Sequence, residues 1–279
     1  MKATLIQTNA GTDRPKNLRD AEALIARAVE MDRPDLVVLP EYFEFYGGPS
    51  AGRVAAAEPL PGGAAYAAMQ AAAKSHRVWI HAGSMVERIP GDASRAYNTT
   101  VVFNREGREV ARYRKIHLFD VIAPDGHAYR ESATVKAGDD VVLYDLEGLT
   151  VGCTICYDLR FSELFLALAR GGADVIVVPA AFTLLTGKDH WEVLLRARAI
   201  ETQTYVLASG QCGSYDAGGT VRQTYGHSLV CDPWGHVIAR ASDGVGFVTA
   251  RVEPDEIRRV RALIPMSEHR TQMLTVGAR

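Results

Sequence analysis

Hydrophobic residues along the chain recur at two spacings, one typical of strands and the other typical of helices. Short apolar, β-branched runs predict strands over residues 3–7, 36–39, 78–82, 99–103, 150–155, 174–178, 205–209 and 227–231. Between several of them, apolar residues repeat every three or four positions and predict helices over residues 17–31, 63–75, 161–170 and 190–203. This alternation indicates an α/β protein whose helices cover the faces of sheets.

Two hairpin signals indicate that the sheets are mixed rather than all parallel. Residues 104–107 separate two extended runs, and residues 232–235 separate two more. Pro254 stands in the first turn of a last predicted helix over residues 254–264. The chain has no linker, low-complexity tract or internal repeat, so we expect one domain over residues 1–279.

Composition narrows the classes of partner and compartment. Of the 279 residues, 47% are hydrophobic, and 31 Lys and Arg nearly balance 33 Asp and Glu, so we expect neither nucleic-acid nor membrane binding. No apolar run approaches the roughly 18 residues of a membrane span, and the N-terminal run is too short for a signal peptide. Four cysteines are too few for a disulfide scaffold, so we expect a cytoplasmic protein with reduced thiols.

Cys156 is the leading candidate nucleophile. It follows the run at residues 150–155 at a predicted turn into a helix, whose N-terminus stabilises thiolates and oxyanions. A buried structural cysteine is the alternative. Cys153 and Cys156 also form a Cys-x-x-Cys, but Cys153 lies inside the strand and no second pair completes a zinc site. We therefore disfavour a redox centre and expect no metal.

Glu41 and Lys115 also follow predicted strands. Glu41 is surrounded by aromatic residues at 42, 43, 45 and 46, which favours a desolvated pocket and a raised carboxyl pKa, although a surface carboxylate is the alternative. Lys115 follows residues 109–114, where it could stabilise an oxyanion or belong to a solvated basic stretch. His117 leaves a Cys–His dyad open. Because strand ends converge in α/β proteins, these side chains are candidates for one site.

Together these segments resemble the nitrilase superfamily of carbon–nitrogen hydrolases. The matching stretches are residues 39–41, 113–118, 130–132, 156–161, 190–192, 198–201, 225–228 and 232–235. The resemblance implies a four-layer α-β-β-α sandwich with mixed sheets, assembled as a homodimer or larger homo-oligomer. It implies a catalytic set of Glu41, Lys115 and Cys156, with Glu131 supporting the site.

Within that superfamily the chain is most similar to amidases of deaminated glutathione and to omega-amidases. Residues 191–203 and 211–213 favour the former, and residues 117–120 favour the latter. N-carbamoyl and nitrile hydrolases of the superfamily stay open as alternatives. A non-catalytic binding module is the alternative from another class.

The predicted reaction is hydrolysis of a small carboxylate-bearing amide through a cysteine thioester, with no cofactor. Glu41 acts as the base, while Lys115 and the backbone N–H of Tyr157 stabilise the oxyanion. Arg160 is the candidate carboxylate anchor, unless it pairs with Asp158 or Glu163. Phe182 and Thr186 are the candidate residues of the pocket wall.

Overall fold

Two mixed β-sheets stacked face to face form the centre of the computed structural model, which describes residues 1–123 and 126–271. The strands are β1 (Lys2–Gln7), β2 (Leu36–Val38), β3 (Trp79–His81), β4 (Met85–Ile89), β5 (Asp92–Phe103), β6 (Glu109–Arg114), β7 (Asp120–Ile122), β8 (Ala128–Arg130), β9 (Leu143–Leu146), β10 (Leu149–Cys153), β11 (Val175–Ala180), β12 (Tyr205–Gly210), β13 (Cys212–Asp216), β14 (Val221–Tyr225), β15 (Leu229–Cys231), β16 (Val237–Arg240) and β17 (Gly246–Arg251).

Helices lie on the outer faces of both sheets. They are α1 (Arg14–Asp32), α2 (Ser50–Ala55), α3 (Ala64–His76), α4 (Ser162–Arg170), α5 (Leu184–Thr202), α6 (Pro254–Leu263) and α7 (Met266–His269). Two short 3-10 turns cover Glu131–Ala133 and Cys156–Arg160. No helix among the described residues is both long and apolar enough to cross a bilayer.

Each sheet has a parallel centre and antiparallel edges. The first has the order β17-β1-β2-β3-β5-β4, with β6 also paired to β5, and β1, β2 and β3 are parallel. The second has the order β16-β15-β12-β11-β10-β9, and β10, β11 and β12 are parallel. The pairs β5–β6 and β15–β16 are antiparallel, which confirms both predicted hairpins and the mixed sheets.

Alternating side chains divide the interior into layers. Leu5 of β1 belongs to the core shared with the second sheet, whereas its neighbour Ile6 belongs to the core under α1 and α3. Phe165 of α4 and Trp191 of α5 pack on the far side of the second sheet. The order is therefore helices, sheet, sheet, helices, which confirms the predicted four-layer sandwich.

All eight predicted strands and all five predicted helices are present, with shifted ends. The helix predicted from residue 190 begins earlier, at Leu184. The sequence did not signal this start, because Gly187 lowers the helix propensity of the first turns. An ideal Cβ at Gly187 would lie 2.3 Å from Tyr225 Cβ, so this glycine permits close packing. The hairpin β13–β14 was not predicted, since its side chains are mostly exposed and show no apolar alternation.

We predict that Gly83 sets the position of the segment that carries Glu41. Its φ is +47°, and an ideal Cβ there would lie 2.0 Å from the carbonyl oxygen of Pro40. Gly83→Ala should therefore lower the free energy of unfolding, measured in urea, by about 1–3 kcal/mol more than a glycine replacement in open space. Gly91→Ala is the matched control, because Gly91 has a φ of +80° and no neighbour within 4 Å. Equal losses in both variants would contradict the prediction.

Candidate active site

Glu41 is a buried carboxylate with three donors. It follows β2 and precedes Tyr42, whose left-handed backbone (φ 53°) turns the chain at this sheet edge. The carboxylate accepts hydrogen bonds from Asn98 Nδ2 at 2.8 Å, Lys115 Nζ at 3.0 Å and the backbone N–H of Ala181 at 3.0 Å. Glu41 is only 3% exposed, so these donors replace solvent around its charge.

Lys115 lies between two carboxylates at the end of β6. Its Nζ is 3.0 Å from Glu41 Oε1 and 3.1 and 2.8 Å from the two carboxylate oxygens of Glu131. The Glu131 carboxylate also accepts a hydrogen bond from the Phe119 backbone N–H at 2.7 Å and one from the Tyr42 hydroxyl at 3.3 Å. Lys115 is 2% exposed, so one ammonium balances two carboxylates away from water.

Electrostatics favour the charged form of this cluster. Burial alone would lower the pKa of Lys115, but the charges of Glu131 and Glu41 outweigh it and hold that pKa well above its usual value. Burial raises the pKa of Glu131, yet the Lys115 ammonium and its hydrogen bonds bring that pKa below the ordinary 4.5. Accordingly, Lys115 stabilises the fold below pH 10.5 and loses this effect as pH rises through its folded pKa. Glu131 contributes above pH 4.5 and loses its effect on further acidification.

Cys156 occupies the first position of a 3-10 turn, with a left-handed backbone (φ 49°). Burial and then the Glu41 carboxylate raise the pKa of its thiol, and together they outweigh the Lys115 charge and the Ala181 backbone N–H, which lower it. The raised pKa opposes the thiolate stabilisation that a turn into a helix suggested, so the thiol is protonated near neutral pH. Helix α4 begins at Ser162, one residue after its predicted start, and the 3-10 turn lies between it and the strand.

Asp158 fixes this turn against the loop after β6. Its buried carboxylate accepts hydrogen bonds from the Tyr113 hydroxyl at 2.7 Å, the His117 backbone N–H at 3.0 Å and the Ile155 backbone N–H at 2.8 Å. His117 Nδ1 also lies 2.7 Å from Asp158 Oδ1, and its ring stacks on Phe161. His117 is thus engaged with Asp158, which argues against the Cys–His dyad.

A cavity of about 390 Å³ brings the predicted catalytic residues together. Glu41, Lys115, Glu131 and Cys156 all line it. Its volume suits a small organic molecule.

The four predicted substrate-binding residues lie outside that lining. The ring of Tyr157 packs edge-on against Phe119, which does line the cavity. Phe182 packs on Trp191, and Thr186 shares a 2.8 Å hydrogen bond with the cavity-lining Thr183. Tyr157 and Thr186 thus each contact a residue of the cavity wall, and the roles of all four residues stay predictions.

Arg160 has neither of the ion pairs considered from the sequence. Its Nη1 lies 3.2 Å from His190 Nδ1, and its guanidinium lies 5.4 Å from the centre of the Phe182 ring. Within residues 1–123 and 126–271 it forms no ion pair with Asp158 or Glu163. Asp158 instead bonds the three groups described above.

Several residues that shape the site were missed from the sequence. Asn98 and the Ala181 N–H hold the Glu41 carboxylate, and Gln211 Nε2 donates to the Glu41 carbonyl oxygen at 3.1 Å. These partners are 57, 140 and 170 positions away along the chain. No local pattern signals such contacts.

Cys153 and Cys156 are both free thiols in the structure. Cys153 is buried in β10, where burial raises the pKa of its thiol. No group of three or more His, Cys, Asp or Glu side chains in the described part of the chain could hold a metal ion.

Comparison with known proteins relates the whole chain to one family. A family model described as carbon–nitrogen hydrolase matches residues 2–262. The chain is 43% identical to a deaminated glutathione amidase of Synechocystis sp. over 97% of this chain and 99% of that protein. It is 38% identical to the deaminated glutathione amidase of Homo sapiens, over 95% of this chain and 80% of that protein.

Solved structures agree with this relationship. The NitFhit protein of C. elegans superposes with a TM-score of 0.89 at 36% identity, and the match covers 96% of this chain and 64% of that one. Nit3 of Saccharomyces cerevisiae, a member of branch 10 of the nitrilase superfamily, superposes with a TM-score of 0.85 at 30% identity. That match covers 96% of this chain and 95% of Nit3.

The raised pKa of the Cys156 thiol predicts that the free protein holds no thiolate near neutrality. The ultraviolet thiolate absorbance of the wild type and of Cys156→Ser should follow the same curve from about pH 6 to about pH 9, because Cys156 contributes no thiolate in this range. A thiolate step assigned to Cys156 below the ordinary thiol pKa of about 8.5 would contradict this prediction.

Proposed function

The chain belongs to the carbon–nitrogen hydrolase family, and on that premise we propose that it hydrolyses a small carboxylate-bearing amide through a thioester on Cys156. The observation that carries the proposal is the buried cluster in which Lys115 contacts both Glu41 and Glu131 in the cavity that Cys156 lines. This cluster supplies a base, a fixed cation and a nucleophile at one place.

In the proposed first step, Glu41 removes the thiol proton of Cys156 as the sulfur attacks the amide carbonyl. A base is required because the thiol is protonated at rest. The Asn98, Lys115 and Ala181 donors hold the Glu41 carboxylate in one orientation.

The negative charge that develops on the carbonyl oxygen needs a preorganised partner. Lys115 supplies a buried ammonium beside Cys156, and the backbone N–H of Tyr157 is the proposed second donor. Because Glu131 also neutralises Lys115, the ammonium stays fixed when Glu41 becomes protonated.

Protonated Glu41 then returns its proton to the departing ammonia or amine, which leaves an acyl thioester on Cys156. Glu41 next activates a water molecule that hydrolyses the thioester and releases the carboxylic acid. One carboxylate thus serves both half-reactions, and the thiol is regenerated.

Deaminated glutathione is the proposed substrate, because relatives at 38% and 43% identity are named for the amidase that acts on it. The activity of an omega-amidase is the second candidate. The two amidase activities release different amines. We retain Phe182 and Thr186 as proposed substrate-binding residues, whereas Arg160, the predicted carboxylate anchor, lies outside the cavity lining.

We also propose that the protein is cytoplasmic and that each chain is one domain over residues 1–279. We further propose that it assembles as a homodimer or a larger homo-oligomer. Val193 and Ile200 of α5 are 66% and 48% exposed and lie seven positions apart on one face of the helix, and a second copy packed there would bury both side chains. The four buried free cysteines favour a reducing compartment.

We predict that release of ammonia or amine from a panel of amides depends on Cys156 and Glu41. The panel contains deaminated glutathione, α-ketoglutaramate, an N-carbamoyl compound and a nitrile. Cys156→Ala should reduce kcat at least about 1,000-fold, and Glu41→Gln should reduce it about 100- to 10,000-fold.

Cys153→Ala is the matched control, since Cys153 is a second buried thiol three positions away and should be dispensable. Full activity in Cys156→Ala or Glu41→Gln would contradict the proposed mechanism. Activity confined to the carbamoyl compound or the nitrile would reject the amide assignment.

A further inference from the structure

Among the described residues of the cavity wall, positively charged side chains outnumber negatively charged ones. Arg53, Lys115, Arg130 and Arg222 line it together with the carboxylates of Glu41 and Glu131. Lys115 is already hydrogen-bonded to both carboxylates, so the remaining cations among the described lining residues are guanidinium groups.

Two of these guanidinium groups have unused hydrogen-bonding capacity. In the described part of the chain, four buried side-chain atoms lack a hydrogen-bond partner, and two of them are Arg53 Nε and Arg222 Nε. Neither arginine forms an ion pair there, whereas Arg14 and Arg112 pair with glutamates nearby in the fold. A buried donor without a partner is costly, and a ligand that supplies an acceptor removes that cost.

Aromatic rings hold both guanidinium groups in place. Arg53 Cζ lies 4.6 Å from the centre of the Tyr42 ring, and Arg222 Cζ lies 5.0 Å from the centre of the Tyr129 ring. Tyr42 and Tyr129 line the same cavity. Stacking on a ring holds a guanidinium group in place without using its N–H donors, and a guanidinium group held in this way is suited to binding a carboxylate through two N–H groups.

We infer that Arg53 and Arg222 are specificity-determining residues that bind the carboxylate groups of an anionic amide substrate. This inference rests on the proposed function and replaces Arg160 with two arginines that lie on the cavity wall. Arg53 stands next to the reacting groups, since Glu131 and Glu41 are among its charged neighbours.

A matched pair of amides tests this assignment. Glutaramate carries a carboxylate at the far end of its chain, and pentanamide carries a methyl group there. Arg53→Gln and Arg222→Gln should each lower the ratio of kcat/KM for glutaramate to kcat/KM for pentanamide about 10- to 100-fold. Arg53→Lys should recover part of the loss, because it restores the charge without the planar fork.

Arg108→Gln is the control, because Arg108 is exposed in the turn between β5 and β6 and should leave both substrates unaffected. Equal losses for glutaramate and pentanamide, or no loss, would overturn the role of the arginine tested. A selective loss in Arg160→Gln with none in the other two variants would return the anchor to Arg160.

A binding measurement separates this inference from the proposed reaction. Glutarate, titrated by calorimetry into Cys156→Ala, should bind, and adding Arg53→Gln or Arg222→Gln should weaken binding about 10-fold or more. If no amide is hydrolysed but glutarate binding depends on these arginines, the carboxylate subsite stands and the reaction fails. Glutarate binding that ignores both replacements would overturn the subsite.

Discussion

The buried ammonium of Lys115 is the constraint on which the site depends. Glu41 follows β2, Lys115 follows β6 and Glu131 begins a 3-10 turn, so their contact requires three separate segments to meet at one sheet edge. Removing the cation would leave two buried carboxylates without their shared counter-ion, and breaking a buried pair of this kind costs about 3–5 kcal/mol. The charge cluster therefore links the stability of the sandwich to the geometry of its cavity.

The second carboxylate explains how one residue can act as a base without disrupting the cluster. Glu41 changes its protonation state during the proposed cycle, whereas Glu131 remains ionised and keeps Lys115 charged. Asp158 has a different task, because it binds the loop after β6 and the turn at Cys156 with one carboxylate. In the proposed cycle, three buried acids thus serve as base, counter-ion and positioning residue.

Much of this arrangement was accessible from the sequence. Apolar runs located the strands, and polar residues at their ends identified Glu41, Lys115 and Cys156. Helix α4 begins one residue after its predicted start, but the 3-10 turn that carries Cys156 was not predicted. Arg53 and Arg222 were missed, since α2 and the exposed hairpin β13–β14 carry no periodic signal. Contacts such as Ala181 to Glu41 join distant positions and follow only from the packed fold.

Direct detection of an acyl group on Cys156 is the measurement that bears most closely on the proposed chemistry. The protein is mixed with the preferred amide of the panel, quenched in acid within milliseconds and digested for mass spectrometry. The peptide containing Cys156 should gain the mass of the acyl group, and hydroxylamine should remove it. A substrate that turns over with no adduct on Cys156, or with the adduct on another residue, would contradict covalent catalysis by this thiol.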